Sequence, residues 1–330
     1  MRSKAIRAPG TPVIILAALS LLAAACGGSG GGTIPTPPAG KGSIAKNFQS
    51  AFAGATFTVG SKQFTEQDIL AQITIQALQA AGAHVKSDLN LVSSQTARQA
   101  LVSGGIDMYW DYAGTGWSLY LNHATGVQGA MAQFQATARQ DLERNGIKWL
   151  GPAALNDEYA IARLQNATGA LGKVDTISQM ATFVRQNPGQ ATFCGDAEYY
   201  EREFIPVETT YNFTFPGYDL TENANIEANY PSVTTSLCNF SEVFTTDARI
   251  QTDHLNVLTD DKGVFLTQLA ALTVREKTFK QYPQLQAFAR DLGSKLTQHE
   301  IISLNKMVDV DGKSAQYAAY VFLKSNGFIG

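Results

Sequence analysis

The chain has 330 residues, of which 45% are hydrophobic and 16% are charged, with a net charge of −3. This length allows one large or two medium domains with a substantial buried core. The sequence has no block of basic residues, which excludes nucleic acid as a partner. Its four histidines lack metal-ligand spacing and no cofactor-binding motif is present, so we expect neither a metal nor a cofactor.

Residues 1–26 have the pattern of a secretory targeting segment. Three basic residues precede an apolar run, Val13 to Ala25, which is short for a membrane span and ends in small residues. Cys26 follows directly, as in a bacterial lipobox, although Ala23 stands where leucine is usual. We expect Cys26 to be acylated and to anchor a lipoprotein to the outer face of the cell membrane. The alternative is an ordinary signal peptide that is cleaved nearby.

Residues 27–52 are expected to form a flexible linker. The segment Gly27 to Gly42 is rich in glycine, serine and proline, a composition typical of linkers that hold a domain away from its anchor. The folded part of the chain is therefore expected to begin near residue 55.

The first candidate ligand-binding loop follows the first predicted strand. Thr56 to Val59 has the β-branched and aromatic residues typical of a strand, and a helical pattern begins at Thr65. The loop Gly60 to Phe64 thus lies between the carboxyl end of a strand and the amino end of a helix, where open α/β sheets bind ligands. Lys62 adds a positive charge there, which favours a negative group on the ligand.

A second loop repeats this arrangement. Ile106 to Trp110 is predicted to be a strand, and Asp111 to Gly116 turns the chain toward another helix. Tyr112 and Thr115 supply a ring and a hydroxyl, while the glycines let a ligand approach closely. The alternation of strands and helices over residues 55–150 favours an α/β fold with parallel strands.

A resemblance to a known family rests on four segments: GSKQFTEQ, ALVSGGIDMYWDYAGTG, NDEYAIA and FTTDARI. They resemble the substrate-binding proteins of osmoprotectant (glycine betaine, choline or proline betaine) ABC transporters. The resemblance implies an α/β, two-lobed periplasmic-binding-protein-like fold of type II, in which each lobe is a mostly parallel sheet flanked by helices. It implies a first lobe of residues 55–158 plus 250–330, with a strand at Leu255 to Leu258. Residues 159–249 would form the second lobe, and the ligand cleft would lie between the lobes.

The same resemblance assigns the ligand carboxylate to Lys62, Thr115 and Arg202. A guanidinium suits this role because it can bind both carboxylate oxygens at once. The alternative for Arg202 is an ion pair with Glu198 or Glu201 on a solvated helix face.

The resemblance also implies an aromatic box of Tyr112, Tyr159 and Tyr230 for a quaternary ammonium. Such a cation donates no hydrogen bond, and an electron-rich ring face can replace the water around it. Where the family often has a further tyrosine, this chain has Gln268. The box would therefore be three-sided or completed by another ring.

Two further pairs of residues have open roles. Asp111 and Asp157 flank the predicted box and could either complement the cation at longer range or bind backbone N–H groups. Cys194 and Cys238 are the cysteines that remain after Cys26, and two cysteines in an exported chain are compatible with one disulfide.

The function implied is that of a solute-binding lipoprotein. It would capture a glycine betaine-like quaternary amine and deliver it to an ABC transporter permease and its ATPase. We expect a monomer without enzymatic activity. Two alternatives are a ligand sensor without transport and a secreted hydrolase that uses Asp111 and Asp157.

Overall fold

Two five-stranded sheets organise the chain in this computed structural model, which describes residues 40–217 and 220–330. The predicted targeting segment, Cys26 and the linker up to residue 39 lie outside the described residues. Within the described part of the chain, none of the helices has both the length and the apolarity needed to cross a membrane.

The two sheets share one topology. The first has the strand order β2-β1-β3-β10-β4 and the second has the order β7-β6-β8-β5-β9. In each sheet the first three strands are parallel, and the fourth runs antiparallel to both of its neighbours. The strands of the described residues are β1 (Thr56–Lys62), β2 (His84–Leu91), β3 (Met108–Tyr112), β4 (Ile147–Leu150), β5 (Tyr159–Leu164), β6 (Phe193–Asp196), β7 (Leu220–Asn223), β8 (Phe240–Phe244), β9 (Leu255–Val257) and β10 (Ala270–Arg275).

Helices flank both sheets. The α-helical segments are α1 (Gly42–Phe52), α2 (Thr65–Ala80), α3 (Ser94–Ser103), α4 (Ala113–Thr115), α5 (Ala130–Asn145), α6 (Ile177–Gln186), α7 (Ala197–Tyr199), α8 (Ile205–Tyr211), α9 (Asn229–Thr234), α10 (Arg249–Thr252), α11 (Glu276–Gln281), α12 (Leu285–Gly293), α13 (Gln298–Asp309) and α14 (Ala315–Ser325). Short π-helical turns follow α4 and α7, at Gly116–Tyr120 and Tyr200–Phe204, and 3₁₀ turns lie at Leu171–Lys173, Pro188–Gln190 and Ile226–Ala228.

The predicted two-lobed α/β architecture is confirmed, but both sheets are mixed rather than mostly parallel. The antiparallel strands β5 and β10 each begin at the cleft, where Tyr159 pairs with Phe244 and Ala270 pairs with Tyr112. Because the parallel strands end at the cleft, a strand that enters a lobe from the other lobe must run the opposite way. The two crossings between the lobes therefore produce the antiparallel pairs.

Residues 42–52 form helix α1, so the prediction that the linker extends to residue 52 is wrong. Ile44, Phe48 and Phe52 recur every four residues and are all buried. The Phe52 ring packs edge-on against Phe57 of β1, with ring centroids 5.8 Å apart. Burial of such side chains contributes roughly 1.5–3 kcal/mol each, which holds α1 on the first lobe.

Strand β9 belongs to the second sheet, and its predicted place in the first lobe is wrong. Leu255 pairs with Leu164 of β5, so the second lobe continues to Val257. The chain then returns to the first lobe alongside the segment by which it left, and Leu269 of the returning segment pairs with Asn156 of the outgoing one. A strand of three residues carries too short a pattern to identify its partner sheet.

A disulfide joins Cys194 and Cys238, whose Cα atoms are 5.8 Å apart. Both cysteines are buried. The bond ties β6 to the segment that leads into β8 and so braces the second lobe.

Candidate functional site

The carboxyl ends of β1, β3 and β6 meet at a cavity between the lobes. Its volume is about 150 Å³, and residues of both lobes line it. A cavity of this size holds a molecule about as large as benzene, so it suits a small solute. The predicted site residues that line it are Lys62, Tyr112, Thr115, Asp157, Tyr159 and Gln268.

Four aromatic side chains form one continuous side of the cavity, which we call the aromatic wall: Phe64, Tyr112, Tyr159 and Phe244. Phe64 stacks with Tyr112 at 6.3 Å between ring centroids and lies 5.3 Å from Phe244. Phe244 in turn lies 5.0 Å from Tyr159. The wall crosses from the first lobe to the second, so a ligand against it contacts both lobes at once.

Two buried acids lie at the aromatic wall. The Tyr112 hydroxyl donates a hydrogen bond of 2.6 Å to Glu66, and Asp157 accepts one of 2.6 Å from the Thr246 hydroxyl. Burial raises the pKa of Glu66, and burial together with the charge of Glu66 raises the pKa of Asp157 well above its ordinary value. A ligand cation in the cavity would favour the ionised form of both carboxyls.

Lys62 lies at the cavity with its ammonium close to the aromatic wall. The Nζ atom is 4.7 Å from the centroid of the Tyr112 ring and 3.4 Å from both Asp111 Oδ1 and Ser94 Oγ. Asp111 is fully buried and also accepts hydrogen bonds from the Tyr109 hydroxyl and the Tyr112 N–H. Asp111 therefore serves as a buried counter-ion for Lys62 and does not line the cavity.

Arg202 lies behind Tyr159, outside the lining of the cavity. Its guanidinium donates to Glu198 at 2.7 Å, to Ser118 at 3.2 Å and to the Tyr159 hydroxyl at 3.3 Å. The Arg202 side chain is only 5% exposed, so its ion pair with Glu198 lies in the interior of the cleft and not on a solvated helix face.

Glu198 connects the two lobes across the cleft. Its carboxylate accepts hydrogen bonds from Ser94 N at 3.2 Å and Ser94 Oγ at 2.7 Å, at the amino end of α3. Burial raises the pKa of Glu198, but Arg202 and Lys62 lower it, and the net result is below its ordinary value. The described structure thus has the lobes in contact, with a carboxylate of the chain itself between Lys62 and Arg202.

Tyr230 is fully buried in the second lobe and is not among the residues that line the cavity. The Arg249 guanidinium lies 3.9 Å from the centroid of its ring, and its hydroxyl accepts a hydrogen bond from the Phe244 N–H. Tyr230 therefore supports Phe244 from behind, in the arrangement that the structure shows.

Three carboxylates converge on Arg249 at the edge of the cleft. Glu227, Asp247 and Asp309 offer oxygens that all lie within 4.8 Å of one another. Arg249 forms ion pairs with Glu227 at 2.6 Å, with Asp309 at 3.9 Å and with Asp247. Three such carboxylates could hold a metal ion, but here the Arg249 guanidinium pairs with all three and offsets part of their negative charge. Burial raises the pKa of Asp309 to about 6.

Comparison with known proteins decides the family. Residues 55–325 match the family described as the substrate binding domain of ABC-type glycine betaine transport systems. A glycine-betaine-binding protein of Pseudomonas aeruginosa is 30% identical over 278 residues, which cover 82% of this chain and 88% of that protein. The chain belongs to this family.

Solved structures agree with the fold of this solute-binding protein. Apo YehZ of Escherichia coli has 25% identity, a TM-score of 0.60, and an alignment that covers 83% of this chain and 99% of that one. A structure described as a glycine betaine/carnitine/choline ABC transporter has 19% identity and a TM-score of 0.66 over 84% and 99% of the chains. As a member of this family, the protein is a substrate-binding protein and not an enzyme, acts outside the cytoplasm and works with an ABC transporter permease. This removes the hydrolase alternative.

Sequence reasoning missed three residues at the cavity of this solute-binding protein. Phe64 and Phe244 supply half of the aromatic wall, and Glu198 lines the cavity as well as joining the lobes. Both phenylalanines stand in segments that carry the family resemblance, directly after β1 and at the end of β8. Their position at strand ends was the signal that could have identified them.

Proposed function

We propose that this protein captures a small quaternary-amine solute of the glycine betaine type against the aromatic wall and closes its lobes around it. The observation that carries the proposal is the wall itself, four adjoining rings in a cavity between two lobes. The family to which the chain belongs supports the same ligand class.

The rings suit a cation that cannot donate hydrogen bonds. A quaternary ammonium is held weakly by water, and each cation–π contact contributes about 0.5–2 kcal/mol, more when water is excluded. Micromolar affinity requires about 8 kcal/mol, so several rings must act together. Phe64 and Phe244 would complete a box that the tyrosines alone leave open.

The charges of the cavity also favour a cation. Its lining has one basic residue, Lys62, and three acidic residues, Asp157, Asp196 and Glu198. Glu66 adds a further buried carboxyl behind Tyr112. We propose that these groups complement the ammonium at longer range, while Thr115 and Lys62 contact the ligand carboxylate. Arg202 would act indirectly, by holding Tyr159 and Glu198 in position.

Isothermal titration calorimetry on the purified protein tests this proposal. Glycine betaine and choline are the test ligands, and alanine and proline are matched controls without a quaternary ammonium. We expect binding of at least one test ligand and weaker or undetectable binding of the controls. Binding of alanine or proline alone would keep the two-lobed clamp and contradict recognition by the aromatic wall.

We further propose that Cys26 is acylated and tethers the protein to the outer face of the cell membrane. Its position after a short apolar run supports this. Cys26→Ser should abolish metabolic labelling with radioactive palmitate and release the protein from the membrane fraction. Retained labelling in the variant would contradict the assignment.

A further inference from the structure

Gln268 has an unused hydrogen-bond donor at the cavity. The side chain is 1% exposed and lines the cavity. Its Oε1 atom accepts a hydrogen bond of 3.0 Å from the Thr115 N–H. Its Nε2 atom has no hydrogen-bond partner among the described residues.

The orientation of this amide is set by its surroundings. If the amide were reversed, its NH₂ group would face the Thr115 N–H, donor against donor, and the bond to Oε1 would be lost. The backbone is held as well, because the Gln268 N–H donates to Asn156 Oδ1 at 2.7 Å and its carbonyl accepts from the Asp157 N–H. A Cβ at Gly114 would lie 2.7 Å from Nε2, so glycine there leaves the amide its space.

A buried donor without a partner is costly. An unpaired group of this kind loses its hydrogen bond to water without gaining another, and native proteins keep few of them. Since Gln268 is on the cavity lining, a bound ligand is the partner that could satisfy it. The group that would do so is a hydrogen-bond acceptor.

This inference rests on the proposed function. We infer that Nε2 of Gln268 donates a hydrogen bond to an oxygen of the bound ligand, beside Thr115. The cleft then prefers a quaternary amine that carries a carboxylate or hydroxyl oxygen over one that carries alkyl groups alone. Gln268 thereby selects ligands that carry an oxygen acceptor. An aromatic side chain at this position would offer the ligand only its ring face and would not make this selection.

The test measures the affinity of two ligands for the unaltered protein and for two variants by isothermal titration calorimetry. Glycine betaine has an oxygen acceptor and tetramethylammonium has none. Gln268→Leu removes the donor, and Gln268→Glu keeps the shape and the acceptor for Thr115 but replaces the free NH₂ by an oxygen. We expect each variant to weaken glycine betaine binding about tenfold or more. Tetramethylammonium binding should be unchanged in Gln268→Leu and unchanged or stronger in Gln268→Glu, whose added negative charge attracts a cation. Thermal unfolding of both variants checks that they remain folded.

The outcomes separate this inference from the proposed function. If the unaltered protein binds glycine betaine and both variants bind it equally well, the inference is overturned and the proposed function stands. Equal losses for both ligands would show a structural role for Gln268 and also overturn the inference. If the unaltered protein binds neither ligand, the proposed function fails and the inference fails with it.

Discussion

Tyr159 offers the sharpest test of the aromatic wall because its ring can be removed without emptying its site. The substitution Tyr159→Leu replaces the ring by an apolar side chain that still packs against Phe244. Tyr159→Phe keeps the ring and removes only the hydroxyl that accepts a hydrogen bond from Arg202 at 3.3 Å. The pair of variants therefore separates the ring face from the hydroxyl.

The expected loss follows from the burial of the ring. Tyr159 is 8% exposed, so a cation against it would be largely desolvated. The free energy of the cation–π contact with Tyr159 should therefore lie in the upper part of the usual range of about 0.5–2 kcal/mol. We therefore expect Tyr159→Leu to weaken binding of a quaternary amine about tenfold, which corresponds to about 1.4 kcal/mol. Tyr159→Phe should lose much less, since its ring remains.

Isothermal titration calorimetry measures both affinities, and thermal unfolding checks the fold of each variant. Equal affinities for the leucine and phenylalanine variants would refute the reasoning, because the ring would then contribute nothing beyond apolar volume. A larger loss in Tyr159→Phe than in Tyr159→Leu would show that the hydroxyl and Arg202, and not the ring, control binding.

Three further predictions concern stability and closure. Burial raises the pKa of Asp309 to about 6, above its ordinary value of 3.8, so the folded state loses stability as the pH rises through about 6. Asp309→Asn should remove this dependence and raise the unfolding free energy above pH 7 by as much as about 3 kcal/mol, measured by urea unfolding. The double variant Cys194→Ala/Cys238→Ala opens a loop with a sequence separation of 44 residues and should lower the unfolding free energy by about 4 kcal/mol. Ser94→Ala removes a hydrogen bond of 2.7 Å to Glu198 across the cleft, and we expect it to weaken ligand binding about tenfold by destabilising the closed lobes.

The predictions for Asp309 and Ser94 each have a matched control. Asp311→Asn removes a carboxylate near Asp309 that pairs with Lys306 on the surface and should leave the pH dependence unchanged. Thr96 lies on the same helix as Ser94, but its hydroxyl bonds to Ser93 and, among the described residues, has no hydrogen bond to the second lobe. Thr96→Ala should therefore leave ligand affinity unchanged. An Asp309→Asn variant with the same pH profile as the parent, or equal effects of Ser94→Ala and Thr96→Ala, would contradict the account.

Much of the cleft was predictable because it is built from strand ends. Local pattern places Lys62, Tyr112 and Thr115 at the carboxyl ends of parallel strands, and such ends meet at one edge of a sheet. Lys62 and Tyr112 are the last residues of β1 and β3, and Thr115 follows in α4. Their position requires no knowledge of the second lobe. Their contacts with a ligand stay predictions.

What the sequence could not indicate depends on contacts between distant segments. The ion pair of Arg202 with Glu198 was one of two open alternatives. The burial of this ion pair depends on the contact of Glu198 with Ser94 of the other lobe, which local sequence does not indicate. Tyr230 was expected in the box, whereas the position of the Arg249 guanidinium over its ring follows from the packing of α10 within the second lobe. Helix α1 was missed because the Gly- and Pro-rich composition before it outweighed a short apolar pattern.

The central claim is that the cleft recognises the positive charge of a quaternary ammonium and not only its shape. The most direct test compares glycine betaine with 3,3-dimethylbutanoate, in which carbon replaces the quaternary nitrogen, by isothermal titration calorimetry. Loss of the cation removes the cation–π contacts and the attraction to Glu66 and Asp157, so we predict that the carbon analogue binds at least about tenfold more weakly. Equal affinities would contradict the account and show that the aromatic wall binds by apolar contact alone.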